Sequence, residues 1–430
     1  MHRAATWLIV ALLGVVLLAF AGTLGYVINE GSGDTGDRAR QEPTSPEDGS
    51  TGASEIDFST LDQILNILED DYVNSDDLDD QALYDAAING LIGSLADTGT
   101  FYIDPLTYQL SIGPSGTFEG IGATVQQRDN EIVIVEPIQG SPAEAIGIVS
   151  GDVILAVDGE STQGWTVDKA VLRIRGEKGT EVTLTIRHPD DTTEDITIVR
   201  DEIQLRSVTT TPPGGVLIDV DGNQVTDMAY IRISEFSQRT PEEVEEVARE
   251  AEESGQSGLI IDLRGNPGGL LQETVETADL FLDQGTILIE VARDGSERRF
   301  SAQPGGAALT IPIVILQDGF SASGSEVLAA ALQDNDRATI IGVNSFGKGT
   351  VNIARDLRDG GALFVSIARW LTPEGVLIEG VGITPDVEVI SPSPFEPQYT
   401  PEEDAQIQRA IEHLRSLQAS EETVPSSAGP

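Results

Sequence analysis

The sequence predicts an α/β protein built from more than one domain, on three observations. From 202 to 395, apolar strands such as Gly258–Leu263, Pro312–Leu316 and Ala338–Ile341 alternate with helical stretches, the pattern of an α/β core. From 116 to 201 the pattern shifts to short alternating strands between Gly-rich turns, with one helix near Val167–Ile174. From Ser59 onward, apolar residues recur at helical spacing.

In chain order, Ala4 to Ile28 runs without a charge. At ~1.5 Å per residue such a run crosses a ~30 Å hydrocarbon core. Arg3 precedes it and acidic sequence follows, which favours an inside N-terminus and an extracytoplasmic bulk. A cleaved signal peptide ending near Ala19-Phe20-Ala21 is the rival, leaving a secreted protein if residues 1–21 are removed; the length of the run favours a single-pass anchor in the cell membrane. Residues 31–54 are Gly/Ser/Pro/Asp-rich and read as a tether. Leu61, Ile64, Leu65, Leu68 and Tyr72 mark one helix with Ser59 as its N-cap, and Leu83, Ala87, Leu91 and Leu95 mark a second. The sequence therefore divides into an anchor or signal (1–30), a linker (31–54), a helical subdomain (55–112), a β-module (113–201), the α/β core (202–397), and a C-terminal helix with its tail (398–430). Ile407, Ala410, Ile411 and Leu414 share one face of that last helix.

Composition narrows the chemistry. The net charge of −47 excludes nucleic acid as a partner, since nothing could neutralise a phosphate backbone. There is no cysteine, hence no disulfide, thiol nucleophile or thiolate metal site. His2, His188 and His413 are the only histidines and none accompanies a nucleophile motif. Histidine-rich metal sites and a Ser-His-Asp triad are unsupported, and no cofactor is implied. A hydroxyl nucleophile here needs another base, and a desolvated, neutral lysine is the alternative. Lysine is scarce, at Lys169, Lys178 and Lys348, and Lys348 stands between glycines in SFGKG.

Three stretches could carry chemistry. In QDGFSASGSEVLAAALQDND (317–336) a strand leads through small residues into a helix, a place where a serine meets helix N–H groups. Read alone, Ser323 or Ser325 is as well an ordinary N-cap. In IIDLRGNPGG (260–269), Gly268 and Gly269 let the backbone approach another group closely, or form a plain tight turn. GVNSFGKGT (342–350) mimics a phosphate-binding P-loop, but glycine occupies position 349 where Ser/Thr is required, and strand-like sequence follows.

With these elements in this order, the chain resembles the carboxy-terminal processing, or tail-specific, serine peptidases. The signatures are YIRISEFS (230–237), LIIDLRGNPGGLL (259–271), SASGSEVLAAALQDNDRATIIGVNSFGKGTV (321–351) and GVGITPDVEV (380–389). The resemblance implies a crotonase-like α/β peptidase core with an inserted PDZ domain. It implies Ser323 as nucleophile, Lys348 as base, Glu326 as an acidic helper, and backbone N–H groups of Gly324 and of Gly268 or Gly269 as oxyanion donors. Asn352 stands where the family often has Gln, and matches a position that would help hold Lys348. Gly324 replaces the usual alanine and Gln317 the usual Asn. In the PDZ stretch FEGIGATVQQ (118–127), Gly120, Ile121 and Gly122 would grip a terminal carboxylate, with Val167, Val171 and Leu172 facing the last side chain and Arg175 coupling module to active site. The expected partners are polypeptides with accessible C-termini and, through the N-terminal helix, a membrane; the terminal helices are candidate surfaces for a homodimer or a gating partner. A non-catalytic PDZ scaffold is the alternative of another class.

Overall fold

The computed structural model describes residues 57–75, 78–95, 97, 99–110, 116–128, 130–213, 215–391 and 403–422. The expected membrane anchor or signal, the tether and the ends of the C-terminal tail lie outside the described residues. Among those described, no helix is long and apolar enough to cross a membrane.

Helices α1 (Ser59–Asp71) and α2 (Asp80–Gly93) belong to a unit of their own. Ser59 is not the N-cap: the Asp57 carboxylate accepts the Ser59 N–H at 2.9 Å, so Phe58 caps and Ser59 opens the helix. The α2 cap is Asp79, accepting the Ala82 N–H. The apolar stripe expected on α1 is present, but Leu61, Ile64 and Leu65 remain exposed.

The larger unit opens with β1 (Phe101–Ile103) and α3 (Pro105–Leu110). Strand β2 (Thr117–Gly120) then leads into a module of β3 (Ala123–Arg128), β4 (Glu131–Pro137), α4 (Pro142–Ala145), β5 (Val153–Val157), β6 (Glu160–Ser161), α5 (Val167–Ile174), β7 (Glu181–Arg187), β8 (Thr193–Val199) and β9 (Asp201–Gln204). Its antiparallel sheet runs β3-β4-β5-β7-β8. Strand β7 shows why alternation folds this way: Val182, Leu184 and Ile186 face the core while their neighbours face out. Helix α5 turns Ala170 and Ile174 inward, and Thr166 caps it through the Lys169 N–H. Strands β2 and β9 pair antiparallel, so the chain enters and leaves the module side by side.

The core continues through β10 (Val208–Thr209), β11 (Ala229–Ile233), α6 (Thr240–Glu253), β12 (Leu259–Asp262), α7 (Leu271–Asp279), β13 (Thr286–Ala292), β14 (Glu297–Ser301), β15 (Ile313–Gln317), α8 (Gly324–Asp334), β16 (Ala338–Gly342), β17 (Thr350–Asp356), β18 (Ala362–Leu371), β19 (Val387–Glu388) and α9 (Ala405–Glu422). One sheet has the order β10-β11-β12-β15-β16-β19, parallel except for β10. Strands β12 and β15 are buried at every position, as expected of parallel strands covered on both faces. One face, with Ile261 and Ile315, packs against α7 and α8; on the other, Ile260, Val314 and Leu316 meet α9. Residues Ile407, Ala410, Ile411 and Leu414 all bury there, as their spacing predicts. The three larger ones contribute about 1.5–3 kcal/mol each. A second, antiparallel sheet runs β1-β18-β13-β14 with β17 on β18. Strand β1 enters it because Phe101 stacks on Phe364 at 4.9 Å.

Candidate active site

Strands β12 and β15 are parallel neighbours, so the NPGG turn and the SASGSE loop emerge side by side at their C-terminal ends, where open α/β sheets place their sites. Ser323 sits at the loop-to-helix junction with φ 54° and ψ −114°, a conformation costly for a side-chain-bearing residue. Such a strained strand-to-helix turn is one way to present a serine. Close packing holds it there. A Cβ on Gly268 would lie 2.6 Å from that of Ser323, and one on Gly324 would lie 2.6 Å from Thr274 Oγ1. The Asn266 carbonyl accepts from Ala322 N–H and Ser325 Oγ, tying the two loops together.

Glu326, wholly buried in the first turn of α8, organises the rest. Its Oε2 accepts the N–H groups of Ser323 (2.8 Å) and Lys348 (2.9 Å). Its Oε1 accepts Gly347 N–H and Ser345 Oγ, both at 2.6 Å. The Ser345 hydroxyl in turn accepts Ile383 N–H, which leaves its proton for Glu326. Burial pushes the Glu326 pKa up, while the four donors pull the other way. The backbone nitrogens of Ser323 and Lys348 are thus no farther apart than two hydrogen bonds through one oxygen. Lys348 is 2% exposed and Ser323 3%.

The same contacts remove the P-loop reading. The N–H groups of Gly347 and Lys348 go to Glu326, and that of Gly349 goes to Glu379 Oε2 at 2.8 Å. No N–H of this triplet is left for a phosphate, and β17 follows where a P-loop needs a helix.

Of the candidate oxyanion donors, Gly268 N–H is taken by Asn266 Oδ1 at 2.8 Å. Gly269 and Gly324 N–H have no acceptor among the described residues. Gly269, at φ 152°, lies against Phe236, where a Cβ would fall 2.2 Å from the Phe236 carbonyl oxygen. Asn352 does not reach Lys348. It is buried in β17, donates to the Gly99 carbonyl and to Ser366 Oγ, and accepts from Thr350. Its side chain therefore fastens β17 to the segment before β1.

In the β-module, a cavity of about 260 Å³ lies between β3 and α5. Ile121, Gly122, Val167, Val171 and Arg175 line it; Gly120 does not, being paired in β2, and neither does Leu172, which is exposed. The N–H groups of Ile121 and Gly122 have no acceptor among the described residues. Arg175 stacks over Phe118 and donates to the Leu110 carbonyl at 2.9 Å; burial lowers its pKa.

Sequence reasoning missed Ser345 and Glu379, although both sit in or beside the stretches that carry the resemblance. It also missed a buried cluster beneath the NPGG turn. Arg264 pairs with Asp262 (2.6 Å) and with Asp404, the residue just before α9 (2.7 Å). Tyr230 OH donates to Asp262. Burial alone would raise the Asp262 pKa, but Arg264 and these donors hold it below the ordinary range.

Residues 227–389 match the family model "Peptidase family S41", and residues 109–187 match "PDZ domain". The carboxy-terminal processing protease CtpA of Bacillus subtilis (strain 168) is 37% identical over 347 residues, 80% of this chain and 71% of that protein. A carboxy-terminal-processing protease of Bartonella bacilliformis is 38% identical over 322 residues, 74% of this chain and 71% of the other. Among solved structures, a photosystem II D1 C-terminal processing protease is 27% identical, with a TM-score of 0.43, over 82% of this chain and 92% of its own.

Proposed function

The chain belongs to peptidase family S41, among the carboxy-terminal processing serine proteases with a PDZ domain, and from that membership we propose how its own residues divide the work. Ser323 Oγ attacks the peptide carbonyl carbon and its proton passes to neutral Lys348 Nζ. The tetrahedral oxyanion is held by the N–H groups of Gly324 and Gly269. Lys348 then protonates the departing amine, leaving an acyl-serine. Water, giving its proton to Lys348, attacks the ester; the C–Oγ bond breaks, Ser323 Oγ takes that proton back from Lys348, and the new C-terminus is released. The lysine must be neutral for this, and burial disfavours an ammonium. The observation that carries the reading is the single Glu326 oxygen that accepts both the Ser323 and the Lys348 N–H.

The PDZ groove takes the substrate's C-terminal tail, its carboxylate on Ile121 and Gly122 N–H and its last apolar side chain in the 260 Å³ cavity. The parallel sheet with a helix after β11, β12 and β15 fits a crotonase-like core. The apolar run Ala4–Ile28 supports an anchored enzyme with its catalytic part outside the cytoplasm.

The test is hydrolysis of an unfolded protein bearing an apolar C-terminal tail. Ser323→Ala and Lys348→Ala each lose at least ~10³-fold in kcat while keeping wild-type thermal midpoints. Retained cleavage by Lys348→Ala overturns the assignment of the base.

A further inference from the structure

We propose that Phe320 and Phe346 form an apolar subsite for the substrate side chain directly flanking the scissile bond, selecting an aliphatic or aromatic residue there. The inference rests on Ser323 as the nucleophile. Aromatic residues are scarce in this chain, at 5%, and the larger unit hides them. Among its described residues, Phe320 (52%) and Phe346 (51%) are the exposed aromatic side chains. They stand on the two loops that carry Ser323 and Lys348. Elsewhere an exposed apolar residue is unremarkable; two of them confined to these loops call for a ligand.

Both loops are held by inward hydrogen bonds. Asp318 Oδ1 accepts the N–H groups of Phe320 (2.9 Å), Ser321 (3.0 Å) and Gly265 (3.0 Å), so Phe320 stands at the tip of a turn fastened to the strand β12 loop. Tip positions favour small polar residues or glycine. In the lysine loop, Ser345 and Gly347 both face Glu326, which forces Phe346 between them outward. Phe346 N–H donates to the Ser321 carbonyl at 3.0 Å, bringing the two loops together. Val381, 53% exposed, follows Gly380, whose N–H donates to the Gly347 carbonyl, so a third exposed apolar residue borders the lysine loop.

A polypeptide whose carbonyl meets Ser323 advances about 3.3–3.6 Å per residue, with alternate side chains on opposite faces. The residues on either side of the cut therefore project within about 7 Å of Ser323. Phe320 is three positions before Ser323, and Phe346 is bonded to Ser321. The occupant is a substrate side chain because both phenylalanines stand on the loops that carry Ser323 and Lys348, tied together by the Phe346 N–H bond to the Ser321 carbonyl.

The full-length protein is given denatured β-casein, and cut sites are mapped by mass spectrometry for wild type, Phe320→Ala, Phe346→Ala and Ser323→Ala. Two synthetic peptides then span the fastest-cut site, one with the native flanking residue and one with Ala there. Wild type cuts beside apolar residues and prefers the native peptide by about 10-fold or more in kcat/KM. In each Phe variant that ratio falls toward one and the cut sites lose their apolar bias. Unbiased wild-type cutting, an unchanged ratio, or equal loss on both peptides overturns the subsite. Cleavage by Ser323→Ala overturns instead the reading of the nucleophile.

Discussion

Glu326→Gln is the substitution whose cost follows most directly from the geometry. The carboxylate accepts four hydrogen bonds, two on each oxygen. Glutamine keeps the shape but has one acceptor oxygen. Its better placement leaves the oxygen facing Ser323 and Lys348 N–H and turns the amide nitrogen toward Ser345 and Gly347. The Ser345 hydroxyl can rotate to accept from that nitrogen, but Gly347 N–H then meets a donor. One buried, orphaned N–H costs about 1–3 kcal/mol. The two bonds that survive lose their charge assistance, about 1 kcal/mol each. The expected loss is therefore about 3–5 kcal/mol, against about 5–15 kcal/mol for a whole domain. It falls on the loop that holds Lys348, so hydrolysis falls further than overall stability does. Denaturant midpoints with wild-type slope, read beside kcat and KM on a tailed substrate, measure both. Glu326→Gln with a wild-type midpoint and full kcat would refute the view that this carboxylate assembles the site.

Asp404→Asn still caps α9 through Gln406 and Ile407 N–H but removes one carboxylate from buried Arg264, which destabilises by about 3–5 kcal/mol. An unchanged thermal midpoint would count against the clamp. Asp262, held low by Arg264, contributes stability that is present above about pH 3.9 and is lost as pH falls through its depressed folded pKa. Acid titration followed by circular dichroism checks this, with Asp404→Asn unfolding at higher pH than wild type. In the PDZ module, Glu194 and then Asp152 raise the pKa of His188, bonded at 3.0 and 2.8 Å. Its contribution is complete below about pH 6.5 and fades as pH rises through the raised value. An imidazole titration by NMR that places His188 at or below 6.5 would contradict the carboxylate pairing.

Much of this protein is legible in its residues because the signals are local. Strand alternation and helical spacing placed β5 at Val153–Val157 and α5 at Val167–Ile174, and the apolar row Ile407, Ala410, Ile411 and Leu414 marked the buried face of α9. Histidine scarcity and lysine avoidance narrowed the candidate base to Lys348, and the motif order brought in the family. Tertiary structure decided the rest, because hydrogen-bond partnership depends on distances between segments that no spacing rule encodes. It assigned the Gly268 N–H to Asn266 and left the Gly269 and Gly324 N–H groups without an acceptor among the described residues. It turned Asn352 toward Gly99 and away from Lys348. It brought Asp404 onto Arg264, 140 residues earlier, and Glu379 onto Gly349. In the sequence, Ser323 and Lys348 are a serine and a lysine 25 positions apart. One buried carboxylate, reached only when α8 and the lysine loop pack, makes them neighbours.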